Sequence, residues 1–243
     1  MAELEAAHPF SNTHWSVVLD AARSDSPGAN EALRQLCEAY WYPLYAWSRR
    51  QGYSPHDAED LVQDFFAEKV LTRTALRNIG PEKGRFRTWL LTCLRNLSHT
   101  RREEAMALKR GGGCEHVSLE LRDAEGRYLA EPAHNLTPDR LFERTWALTL
   151  LGRAVNTLRK RYERKGRAEL FELIRQALPG AGVLLPYAEI ASRTAMTEDA
   201  VKMEVSRLRK EIGPALIEEL RPTVAGESDA REELRYLLEA LLP

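Results

Sequence analysis

Pro186-Tyr-Ala-Glu-Ile-Ala-Ser-Arg-Thr-Ala-Met-Thr-Glu-Asp-Ala-Val-Lys-Met-Glu-Val-Ser-Arg-Leu-Arg-Lys210 is the stretch on which the fold turns. Ala188, Ile190 and Ala191 are small or apolar where a first helix would pack inward. Met196 fills a turn, and Thr197 is placed to cap a second helix whose first turn holds Glu198 and Asp199. Val201, Val205 and Leu208 then form a seam at helical spacing, which fixes the rotation of that second helix. Lys202, Ser206, Arg207, Arg209 and Lys210 are left for solvent or for DNA. An ordinary helical hairpin with a solvated basic face has the same periodicity. The turn chemistry, the seam and the charge together favour a helix-turn-helix whose second helix enters the major groove.

Outward from there, the rest of the chain also reads as helix. Trp15, Val18, Leu19 and Ala22 give a helical stripe over 12–23, capped from Ser11, Asn12 or Thr13. A helix over 30–50 carries Pro43 inside it, which should kink or split it. Gly52 ends that helix, and Ser54-Pro55 starts another over 57–71. Its stripe is Ala58, Leu61, Val62, Phe65, Phe66 and Val70, with Asp57, Asp60, Asp64 and Glu68 on another face. A basic helix over 85–110 stops at Gly111-Gly112-Gly113. Residues 111–137, Gly-rich and then polar with Pro132, read as a flexible linker. Helices follow over 138–162, 168–178, 187–194, 198–213 and 229–242. The expected architecture is all-α: two helical domains, 11–110 and 138–223, joined by the linker at 111–137, with a tail helix in 224–243. That tail could pack on the second domain or bind a regulator, a docked tail being the simpler reading.

Composition narrows the function. Hydrophobic residues at 44% of 243 suffice for a core, and no run approaches the ~18 apolar residues of a membrane span. Met1-Ala-Glu-Leu-Glu has no apolar signal segment, so a cytoplasmic protein is expected. Three cysteines (Cys37, Cys93 and Cys114) make a poor disulfide framework and too few ligands for zinc. The acids of 57–68 spread over ~16 Å at ~1.5 Å per residue, too far apart for one ion. No metal or cofactor is expected. No nucleophile–base pair, Walker loop or HExxH motif occurs, which argues against a DNA-modifying enzyme.

The net charge of −1 conceals opposed segments. Residues 11–70 hold nine acids and five bases, and 211–243 hold eight acids and three bases. Residues 81–110 hold eight bases against three acids, and 153–167 seven against one. In the first basic segment Arg85, Arg87, Arg95, Arg101 and Arg102 accompany Phe86, Trp89 and Asn96. Cations beside stacking surface suit single-stranded or distorted DNA. The competing reading makes Phe86, Trp89, Leu90, Leu94 and Leu97 core, which is favoured for Trp89 and Leu90.

Three stretches, in this order, resemble the extracytoplasmic-function sigma factors of bacterial RNA polymerase. They are Asp57-Ala-Glu-Asp-Leu-Val-Gln63 with Phe65-Phe66; Phe86-Arg-Thr-Trp-Leu90 with Asn96-Leu97; and Tyr187, Glu189-Ile-Ala191, Val201-Lys202, Arg207-Leu-Arg209. The resemblance covers about 11–223. It implies that Asp57, Glu59, Asp60, Gln63 and Asp64 dock on the clamp helices of the largest polymerase subunit. It implies capture of the melted −10 strand by Arg85, Phe86, Arg87, Trp89, Arg95, Asn96, Arg101 and Arg102. The −35 element would fall to Thr197, Lys202, Ser206, Arg207, Arg209 and Lys210, near the flap of the second-largest subunit. Partners are then core polymerase and promoter DNA, with an anti-sigma factor or other regulator left open, and no catalysis is expected. Two features depart from the family. An Asp usual after the Asn-Leu pair is missing from Ser98-His99-Thr100-Arg101-Arg102, and Thr194-Ala195-Met196 stands where a turn glycine is common. The alternative is a stand-alone helix-turn-helix regulator with a ligand-sensing or dimerising N-terminal domain.

Overall fold

The computed structural model describes residues 27–71, 85–107, 119–130, 135–178, 182–221, 224 and 227–241. Among the described residues there are helices and turns and no strand, so the protein is all-α. The helix expected at 12–23 lies outside them. Contacts divide the chain into two units, one of Met1–Ala147 with Arg221–Pro243 and one of Leu148–Leu220.

In the first unit, α1 is Pro27–Arg50 and runs unbroken through Pro43. A mid-helix proline costs ~3 kcal/mol. Here Leu44, Tyr45 and Trp47 are buried around it, each worth ~1.5–3 kcal/mol, so packing wins. At the end of α1, Gly52 takes φ +91°; its N–H donates to the Arg49 carbonyl and the Tyr53 N–H to the Ser48 carbonyl. Helix α2 is Pro55–Phe65, capped by Ser54 Oγ, which accepts the Asp57 N–H at 3.2 Å. Residues Phe66–Leu71 continue it as a widened, π-helical turn rather than as the uniform helix the sequence suggests. Helix α3 is Phe86–Ala107.

Inside the stretch expected to be a flexible linker, Leu119–Ala130 form a helix, α4, packed on α1 and α2. Arg49 ion-pairs with Glu125 at 2.8 Å, the Tyr45 hydroxyl donates to the same carboxylate at 2.6 Å, and the Arg127 guanidinium lies 3.6 Å from the Tyr42 ring centroid. The expectation of irregular chain fails there because tertiary partners compensate for Gly126 and weak amphipathicity. Helix α5, Pro138–Arg164, contributes its residues up to Ala147 to the first unit and the remainder to the second. The core of the first unit joins Leu36, Tyr40, Val62, Phe65, Leu90, Leu94, Phe142 and Trp146.

In the second unit α5 ends at Gly166, whose φ of +68° allows the paired closing bonds Gly166 N–H to Glu163 O and Arg167 N–H to Tyr162 O. Helix α6 is Ala168–Ile174, tightening into a single 3₁₀ turn over Arg175–Ala177. Helices α7, Tyr187–Thr194, and α8, Glu198–Leu220, follow, and α8 passes through Gly213 and Pro214 beyond its expected end. Ile190, Ala191, Val201, Val205 and Leu208 are all buried, as the seam requires, and so are Leu158, Phe171 and Ile174. The last helix, α9, is Glu227–Leu241, and it belongs to the first unit rather than to the second.

Candidate nucleic-acid interface

The acidic residues of α2 do not form one uniform face. Asp57, Asp60 and Gln63 are exposed, Asp64 is partly exposed, and Glu59 is buried. Gln63 donates to the Glu59 carboxylate at 3.2 Å. Glu59 therefore faces inward, contrary to its expected place on the docking surface. It sits directly behind Ala58 in a helix whose apolar stripe is wide enough to include it. Asp64 and Glu68 both accept from Arg101 at 2.9 Å, which bridges α3 to α2 and its π-helical extension.

Helix α3 separates the expected −10 residues into two groups. Trp89 is half-buried, and Arg95, Asn96 and Arg102 are exposed. Arg95 meets Asp139 at 2.8 Å, and Arg102 lies over the Tyr53 ring at 4.7 Å while donating to the Gln51 carbonyl. Arg101 keeps part of its surface exposed. Phe86 and Arg87 form the other group, each 1% exposed. Phe86 packs edge-on to Tyr40 at 5.5 Å and stacks with Trp89 at 5.7 Å, so it belongs to the core. Arg87 donates to Glu143 at 2.6 Å, pairs with Glu233, and is flanked by the rings of Trp146 and Tyr236. Burial pushes the Glu143 carboxyl up, against the pull of the Arg87 charge. Arg85, just before α3, is half-buried and meets Glu232 and Glu233, each at 3.1 Å. The expectation of open cations at Arg85 and Arg87 does not match this arrangement. Their acidic partners come from α5 and α9, too distant along the chain for sequence spacing to reveal.

In the second unit α7 and α8 pack on each other across a short turn. Thr197 Oγ1 accepts the Ala200 N–H at 3.2 Å and so caps α8. Lys202, Ser206, Arg207, Arg209 and Lys210 are exposed along α8 beside Met203, and Thr197 stands exposed at its start. Between α7 and α8, Ala195 adopts φ +51°, the left-handed conformation that a glycine would take without strain. Glu204, which the sequence reading passed over, is buried on the inner side of α8. It accepts from Arg167 at 2.9 Å, from Arg207 at 3.0 Å and from the Tyr162 hydroxyl at 3.2 Å. Burial first, then the Glu204 charge, pushes the Tyr162 hydroxyl pKa up to about 12. A lone Glu in the midst of a basic stretch was the available signal.

Among the described residues no group of three or more His, Cys, Asp or Glu could hold a metal ion. The Cys37 thiol is pushed by burial to about 11, far from a reactive thiolate. No helix among the described residues is long and apolar enough to cross a membrane.

The first unit thus sets a helix with exposed acids, α2, against a helix with exposed arginines, α3. Residues 36–105 match the family model of Sigma-70 region 2, a span that covers most of α1, all of α2 and nearly all of α3. The match is confined to 36–105 of the 243 residues and so characterises a segment of the first unit. Comparison with curated proteins and with solved structures returns no match.

Proposed function

We propose that the chain is a sigma factor of the extracytoplasmic-function type, which binds core RNA polymerase and directs it to a class of promoters without catalysis of its own. The observation that carries this reading is the Sigma-70 region 2 match, lying on the helices that present the acidic and basic surfaces. Asp57, Asp60, Gln63 and Asp64 are the docking residues, their charge suited to a basic surface on the clamp helices of the largest subunit. Trp89, Arg95, Asn96, Arg101 and Arg102 meet the melted −10 strand, combining stacking with phosphate contact. Thr197, Lys202, Ser206, Arg207, Arg209 and Lys210 meet the −35 duplex, with the second-largest subunit's flap nearby. The protein works in the cytoplasm, where polymerase and chromosome are.

The docking claim has a direct test. Asp60 is exposed, so Asp60→Lys leaves the fold intact and places a like charge against the basic partner. Capture of core polymerase by the full-length chain should fall by about tenfold or more, one such charge reversal being worth several kcal/mol at an interface. Undiminished capture by the folded variant would remove α2 from the docking surface.

A further inference from the structure

We propose that α9 is an intramolecular strap that occupies the nucleic-acid-binding cations at the start of α3, so that Arg85 and Arg87 become available only when α9 leaves. The proposal rests on the reading of α3 as the segment that meets single-stranded DNA, and it adds the regulation of that surface. Glu233 of α9 is buried and pairs with both Arg85 and Arg87. Glu232 takes a further position on Arg85 at 3.1 Å. Tyr236, one turn along, sets its ring 4.7 Å from the Arg85 guanidinium and 4.4 Å from that of Arg87. Two carboxylates and one aromatic ring thus supply what a strand of DNA would offer the same arginines: anionic oxygens and a stacking surface.

The hold of α9 suits a contact that opens. Its buried side chains are Ala230, Glu233 and Leu237, so one leucine is its main apolar anchor. Leu238 remains exposed, and Arg144 donates to the Leu241 carbonyl at 3.2 Å near the helix end. Of its ionic contacts, the Arg85–Glu232 pair lies where salt screens it. Glu143 of α5 stays on Arg87 when α9 departs, so the opened site keeps one internal counter-charge and Arg85 is the cation most fully released.

The strap can be tested in the full-length chain with fluorescent poly(dT) as probe. Glu232→Gln combined with Tyr236→Leu weakens the strap while leaving Glu233 and the Leu237 anchor in place; Glu233→Gln tests the buried pair. Either variant should bind poly(dT) at least about tenfold more tightly than wild type. The slope of log affinity against log salt should steepen by about 0.7 for each arginine released to a single strand. On the wild-type chain, saturating poly(dT) should lower amide-exchange protection in 227–241, a readout independent of whether the variants fold. Equal affinity and slope in folded variants, or unchanged protection in α9 when poly(dT) is bound, would overturn the strap. Transcription by core polymerase separates the two claims. Initiation that is active but no stronger with the variants refutes the strap alone, whereas no initiation with any form refutes the sigma-factor reading as well.

Discussion

Ala195 carries the clearest local strain among the described residues, because it alone of the non-glycine residues there has a positive φ. The left-handed conformation costs an L-residue ~1–2 kcal/mol, and a glycine's extra freedom in the unfolded chain returns about 0.4–1 kcal/mol of that. Ala195→Gly should therefore stabilise the second unit by about 0.5–1 kcal/mol, read as slower amide exchange in 148–220. Faster exchange would show that the turn relaxes its strain another way. The sequence already flagged this position, since a residue other than glycine stood at a tight helix-to-helix turn. Arg207 and Lys202 differ at the same scale. Arg207 ties back to buried Glu204, whereas Lys202 pairs with exposed Asp199 at 3.1 Å. Lys202→Ala should lower duplex affinity uniformly across −35 sequences and reduce the salt slope by about 1, leaving stability unchanged. Arg207→Ala should do the same and also destabilise the unit by less than about 1 kcal/mol, because Glu204 loses one partner but keeps Arg167 and Tyr162. A loss confined to one base position for Lys202→Ala would instead mean base readout.

Among the elements, α4 was the least legible. Gly111-Gly112-Gly113 and Gly126 mark breaks in local propensity, and the helix takes its support from Arg49 and Tyr45 far earlier in the chain. The helices α2, α7 and α8 were legible because caps, seams and apolar stripes agree locally. Arg87 was legible as a cation yet not as a buried one, since its counter-charges sit on α5 and α9. The α4 contact has a pH signature. Arg49, hydrogen-bonded to Glu125, holds that carboxyl below its usual range of about 4.5. A carboxyl whose folded pKa is depressed stabilises the fold fully above its unfolded value and loses that contribution as pH falls through the folded one. Glu125→Gln should thus unfold at lower urea than wild type at neutral pH, and the difference should vanish as pH falls well below 4.5. A gap between the two midpoints that persists into strong acid would mean that Glu125 acts by packing rather than by charge.

On the scale of the whole molecule, the balance between acids and bases is a division of labour. Asp57 and Asp60 of α2 stay exposed, α9 sets Glu232 and Glu233 on the chain's own arginines, and α8 keeps its cations exposed. Such a chain should bind DNA weakly by itself and act through a larger assembly. The most direct measurement is to transcribe a genomic library with purified core RNA polymerase, with and without this chain, and to map the transcript 5′ ends. The account predicts a set of start sites that appears only when the chain is added and shares two upstream elements at constant spacing. Identical start sites with and without the chain, alongside its binding as a dimer to a palindromic duplex, would contradict it.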